Sequence, residues 1–155
     1  MMSNFNKQSD RLASLTASCA KVEKWLAGIS DDSWSSLVEG RWTVKDLVGH
    51  LAVWSDLLLD QIEALTQNAP ENIQQIDIDH WNAAQISARS DWSVIQVRKE
   101  WEQSTMRARS LVKHLPDEMW SCRAVVPWTK EHVSLGDLLD LWLLHIKQHQ
   151  NAWEK

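Results

Sequence analysis

The sequence predicts an all-α fold, a four-helix bundle with one additional short helix, and three observations carry that prediction. Only four glycines and three prolines stand in 155 residues, where ordinary usage of roughly 12% would give about 19, so turns are few and elements long. Apolar residues recur at helical spacing over four long stretches. Two of those stretches open with the same start signal, a hydroxyl residue followed three positions later by an aspartate. The shortage of turn residues excludes a many-stranded sandwich or barrel. No linker rich in Gly, Ser or Pro, no low-complexity tract and no repeat of solenoid period divides the chain, so residues 1–155 read as one domain.

The first helix is expected over about residues 5–28, where Leu12, Leu15, Cys19, Val22 and Leu26 recur at alternating spacings of three and four and Gly28 is placed to stop it. For the second, Thr43 reads as N-cap, Asp46 as the carboxylate three residues on, and Trp42 as a staple against Leu47. It should run over about 44–67 with Val44, Leu47, Val48, Leu51, Leu58, Ile62 and Leu65 turned inward. Residues 67–77, containing Pro70, read as a loop, and a short helix over about 79–89 follows. A third long helix over about 91–115 places Val94, Val97, Trp101, Ala108, Leu111 and Leu115 on one face and ends at Pro116. The stretch holding Trp120, Cys122, Pro127 and Trp128 reads as irregular. The last helix opens with Ser134 as cap, Asp137 at the third position and Val133 against Leu138, and continues to the C-terminus.

Acidic residues outnumber basic ones by 21 to 16, for a net charge of -5, and no Lys/Arg cluster interrupts that balance, which argues against nucleic acid as a partner. The first residues, MMSNFNKQSDR, lack the apolar core of a signal peptide, and no uncharged run approaches the ~18 residues that cross a bilayer. A cytoplasmic protein with no membrane partner is expected. Cys19 and Cys122 read as buried small hydrophobes. Eleven Trp against one Phe and no Tyr place many indoles at the core edge or around a pocket. An exposed Trp92 or Trp34 would suit a homodimer interface.

The informative residues are His145 and His149. Four positions apart on the last helix, they fall on the apolar stripe with Leu138, Leu141, Trp142 and Ala152, and their nitrogens can converge on one ion. Two core histidines satisfied by hydrogen bonds are the plain alternative. His114, His80 and His132 sit near a helix end or in loops and read as solvated. His50, about two turns into the second helix and in register with Trp54, Leu57 and Gln61, lies on the flank of the stripe. Were the second and last helices to pack side by side, it would supply a third nitrogen and leave coordination positions open, the pattern of catalytic rather than structural metal sites.

The string Trp42-Thr43-Val44-Lys45-Asp46-Leu47-Val48-Gly49-His50-Leu51-Ala52-Val53-Trp54, followed some ninety residues later by His145-Ile146-Lys147-Gln148-His149, resembles the DinB/YfiT-like superfamily of bacterial four-helix-bundle proteins. The segment Asp79-His80-Trp81-Asn82-Ala83-Ala84-Gln85 looks like the mycothiol-dependent maleylpyruvate isomerase N-terminal branch. The resemblance implies a divalent metal, nickel or zinc, held by His50, His145 and His149. Isomerase-type domains often carry a carboxylate where this chain has His145, which favours the YfiT-like three-histidine form.

Trp54, Trp142 and Trp153, one turn from a histidine each, and Asn82 are expected to line the pocket. No residue is assigned a catalytic role, and no further carboxylate stands in an obvious position as general base, since Asp46 caps a helix. The relatives imply a metal-dependent enzyme that activates a low-molecular-weight thiol for transfer to a small-molecule substrate. Hydrolysis by metal-bound water is the alternative, and a non-enzymatic stress protein binding a small molecule in a Trp-walled cavity is a third reading.

Overall fold

The computed structural model describes residues 8–68 and 75–154. Helix α1 spans Gln8–Ala27; a 3₁₀ turn at Asp31–Ser35 leads into strands β1 (Leu37–Glu39) and β2 (Trp42–Thr43); then come α2 (Val44–Thr66), α3 (Ile78–Ala88) and α4 (Val94–His114). A second 3₁₀ turn at Asp117–Ser121 precedes β3 (Arg123–Val125), β4 (His132–Ser134) and α5 (Leu135–Trp153). The four long helices stand where periodicity put them, and the short one stands where it was expected. Residues 5–7 of the expected first helix and residues 69–74 of the expected loop, Pro70 among them, lie outside the described residues.

Local chemistry fixes the helix starts. Thr43 Oγ1 accepts from the Asp46 amide at 3.1 Å, while the Thr43 amide donates to Asp46 Oδ2 at 3.0 Å, so two otherwise orphaned donors are satisfied reciprocally. Ser93 and Gln96 make the same box at the start of α4, a cap the expected start at residue 91 overlooked. Ser134 accepts from the Asp137 amide at the start of α5, and Asp77 from the His80 amide at the start of α3.

The stretches read as irregular or left unassigned are ordered. β1 pairs antiparallel with β2 and β3 with β4. The first hairpin turns at Gly40, whose φ of 54° suits a residue without Cβ. Trp34, considered for an exposed interface, is 4% exposed: the 3₁₀ turn folds its indole into the core. Trp92 is half-buried beneath the Arg89 guanidinium, 4.9 Å from its ring. Cys122 is half-buried rather than buried.

Helices consecutive in the chain are not the main neighbours. Both α1 and α2 pack against α4 and α5, the α2–α4 interface being the most extensive. The core between them holds Leu15, Leu51, Ile62, Trp101, Leu138, Trp142 and Ile146, each under 2% exposed. The inner face of α5 turns toward Leu139 and Ile146, leaving Leu141 and Ala152 half-buried. Arg11 ties α1 to α5, donating to the Gly136 carbonyl at 2.9 Å and to Asp140 at 3.0 Å beside the Trp120 ring.

This arrangement is a pattern stated twice. Each half runs helix, 3₁₀ turn with a buried Trp (Trp34, Trp120), hairpin, and hydroxyl-capped helix with aspartate at its third position. The amide of Val44 donates to the Ser36 carbonyl at 3.0 Å and, in the other half, that of Leu135 to Cys122 at 2.9 Å. Each hairpin touches both α2 and α5. Exchanging α1 with α4 and α2 with α5 leaves the packing scheme unchanged. Among the described residues no helix is long and apolar enough to cross a membrane.

Candidate metal centre

The capping box starts α2 at a defined residue and so sets the rotation at which His50, two turns on, faces α5. On α5, His145 and His149 are separated by one turn and reach the same point. Nε2 of His145 lies 2.9 Å from Nε2 of His50 and 2.9 Å from Nε2 of His149. The three donor atoms all fall within 4.8 Å of one another. The rings meet edge-on, at interplanar angles of 68°, 79° and 88°, so nitrogens rather than ring faces converge.

Hydrogen bonding among the three does not account for the cluster. Nε2 of His145 has a single proton or a single lone pair to offer two neighbouring nitrogens, so at most one of its contacts is a full hydrogen bond. Nδ1 of His50 and Nδ1 of His145 are buried without a partner, a cost that apolar side chains would avoid. Burial, followed by the charge of the neighbouring imidazoles, lowers His145 to about 2; burial, followed by His149, lowers His50 to about 3. Both rings therefore stay uncharged with lone pairs available at neutral pH. A cation at the point of convergence would use three lone pairs at once and remove the conflict, so this donor set fits a divalent ion.

The third ring is held differently. His149 donates from Nδ1 to Oε2 of Glu39 at 2.6 Å. Glu39 ends β1, and the hairpin lays it against α5. Trp42 of β2 covers the other side, its ring 4.4 Å from His50 and 6.0 Å from His149. Trp54 stacks on His145 at 3.7 Å, and Trp128, from the turn between β3 and β4, leans on Trp54 at 4.6 Å.

The structure thus brings His50, His145 and His149 together and sets Trp54 against them, but places the other expected wall residues elsewhere. Trp142 fills the core at 1% exposure. Trp153 stacks on Trp25 at 4.5 Å and lines a cavity of about 700 Å³ whose walls include none of the three histidines. Gln85 and Ile86 of α3 and Arg89 just after it share a small cavity with His50; Asn82 is not among its walls, and its buried Oδ1 has no partner. His80, His114 and His132 are exposed.

Sequence reading missed Glu39, Trp42 as a ring on the histidines, and Trp128. Glu39 is a carboxylate at the site but stands behind His149, on Nδ1, rather than where a general base would act, and it reaches the site only through a hairpin. The signal for that hairpin is Val38-Glu39-Gly40-Arg41-Trp42, a glycine turn between strand-forming residues.

A family model described as the DinB superfamily matches residues 14–152. Among solved structures, the mycothiol-dependent maleylpyruvate isomerase is 15% identical with a TM-score of 0.79, over 98% of this chain and 63% of that one. YfiT from Bacillus subtilis, described as a probable metal-dependent hydrolase with an unusual four-helix bundle topology, is 19% identical with a TM-score of 0.77, over 99% of this chain and 87% of that one. An uncharacterised protein from Escherichia coli UTI89 is 16% identical with a TM-score of 0.78, over 96% and 91%. At these identities the likeness is one of fold. The chain spans 63% of the length of the isomerase. No curated protein matches it significantly.

Proposed function

Because the chain belongs to the DinB superfamily, we propose that His50, His145 and His149 hold a divalent metal ion and that the protein is a metal-dependent enzyme activating a low-molecular-weight thiol for transfer to an electrophilic small molecule. The observation that carries the metal reading is the meeting of three Nε2 atoms from α2 and α5. Nitrogens bound to one ion at about 2.1 Å stand about 3.0 Å apart when their bonds make right angles, and about 3.4 Å apart in a tetrahedron. The two 2.9 Å separations at His145 need little rearrangement for the former. Imidazole donors suit nickel and zinc alike.

When bound, such an ion supplies Lewis acidity that favours the deprotonated form of a coordinated thiol or water. The chain's own residues do the rest. His50 and His145, kept uncharged by burial, need shed no proton before ligating. Three neutral ligands leave the ion's charge undiminished and positions open for a second molecule. Trp42 and Trp54 exclude water around the rings, which strengthens electrostatic effects there. Hydrolysis is the second reading, favoured by the description of the Bacillus subtilis neighbour.

The test is elemental analysis of untagged protein, wild type against His145→Ala. Near-stoichiometric nickel or zinc in the first and strong loss in the second are expected; no metal in the wild type overturns the reading. Loaded protein is then assayed for transfer of mycothiol and bacillithiol to electrophiles and against a panel of hydrolysable esters and amides. Activity in the first set supports the thiol reading, and activity in the second alone replaces it with hydrolysis.

A further inference from the structure

The hold of Glu39 on His149 goes beyond the three ligands. The two halves of the chain can be aligned by their helix caps, Thr43 with Ser134, and by their 3₁₀ turns, Asp31–Ser35 with Asp117–Ser121. On that alignment Glu39 corresponds to Val125, and His149 to Leu58. Leu58 is 2% exposed and Val125 half-buried. The same place in the fold is therefore filled in the other half by an apolar pair, so the architecture does not require a carboxylate and an imidazole there. Stability does not require them either: the Glu39 side chain is 39% exposed, and ion pairs open to solvent contribute little.

The consequence of the contact lies at the far side of the ring. A carboxylate accepts and cannot donate, so Nδ1 of His149 carries the proton of the 2.6 Å bond. In the neutral ring that leaves Nε2 with a bare lone pair, and Nε2 is the atom that faces His145 at 2.9 Å. Without an acceptor at Nδ1 the proton is free to move to Nε2 and block the point of convergence. The hairpin makes this hold firm. β1 is tied to β2 and through the Val44–Ser36 bond to the start of α2, so the carboxylate and His50 are referenced to the same helix end.

We propose that Glu39 is a positioning residue: it selects the Nδ1–H form of His149 and fixes the ring so that Nε2 is ready to bind metal. This rests on the metal reading above. The test compares wild type with Glu39→Val, which copies the other half, and Glu39→Gln, which keeps an acceptor oxygen. Three quantities are measured: Zn²⁺ affinity by competition with a chromophoric chelator, urea unfolding of the metal-free protein, and the ring ¹⁵N shifts of His149 without metal.

Glu39→Val should weaken zinc binding about 10–100-fold, leave unfolding of the metal-free protein unchanged, and shift the His149 proton toward Nε2. Glu39→Gln should restore most of the affinity and the Nδ1–H form. Zinc binding by Glu39→Val within about twofold of wild type, or an unchanged His149 tautomer, overturns the proposal, as does an affinity loss matched by an equal loss of stability in the metal-free protein. Should wild type itself bind no zinc, the metal reading fails, and the ¹⁵N shifts then decide the hold of Glu39 on His149 by themselves.

Discussion

Two buried imidazoles that stay neutral make the metal-free protein sensitive to mild acid, and the size of the effect follows from the structure. His50 and His145 are lowered to about 3 and about 2 by burial, whereas in the unfolded chain each titrates at the ordinary histidine value of about 6.5. The unfolded state therefore binds more protons than the folded one at every pH between those limits, and stability falls as pH falls through that window. Between about pH 7.5 and about pH 5.5 the unfolded state gains about 1.4 kcal/mol per histidine, or about 2.7 kcal/mol for the pair. The figure requires only that both folded-state values lie well below 5.5.

The groups facing these rings are each other, His149 and the Trp42 and Trp54 rings, with the Glu39 carboxylate behind His149 and Lys45, Asp46 and Arg89 lining the small cavity beside His50. The assay is urea unfolding in excess chelator, followed by tryptophan fluorescence at several pH values. It is run on wild type, on His50→Leu (the residue at the matching place in the other half is Leu141), and on the double variant that adds His145→Leu. Subtracting the double variant removes the contribution of the remaining histidines. A wild-type curve as flat as the double variant's over this window would refute the assignment of both rings as buried and neutral. His50→Leu alone should remove about half of the slope.

Two further outcomes follow from local geometry. A Cβ added at Gly136 would stand 2.4 Å from Nη2 and 2.8 Å from Cζ of Arg11, whose guanidinium is held by Gly136, Asp140 and Trp120; Gly136→Ala should cost about 1–3 kcal/mol by overpacking, read as a lowered urea midpoint. Thr43→Ala removes one side of the capping box at the start of α2 and should cost about 1 kcal/mol, measured by thermal unfolding of the metal-free protein.

What was legible in the sequence was what local chemistry encodes. A cap and a repeating apolar spacing lie within a few residues of one another, so α1, α2, α4 and α5 could be placed to within a few positions, and the one-turn spacing of His145 and His149 already put both nitrogens at one point. The strands were hidden because three residues are too few to display alternation. Glu39 was hidden because its partner lies 110 positions away and the two meet only once the hairpin is folded against α5. Trp153 illustrates the opposite failure. One turn from His149 is a correct statement about α5, but Trp25 of α1 decides which way the indole turns. The doubled pattern escaped notice because the halves share few identities beyond Asp, Trp and Ser of each 3₁₀ turn and the aspartate after each cap.

Trp54 and His145 stand at the same distance from their respective caps, so they exchange places when the halves are interchanged, and they lie in contact with each other at 3.7 Å. Side chains that both swap and touch sit on the approximate two-fold axis. A homodimer of identical half-length chains would be obliged to place the same residue on both sides of that axis, two indoles or two imidazoles. Covalent fusion of the halves lifts this obligation: one side can donate a nitrogen and the other shelter it. The lopsidedness of the centre is thus closed to any homodimer of half-length chains.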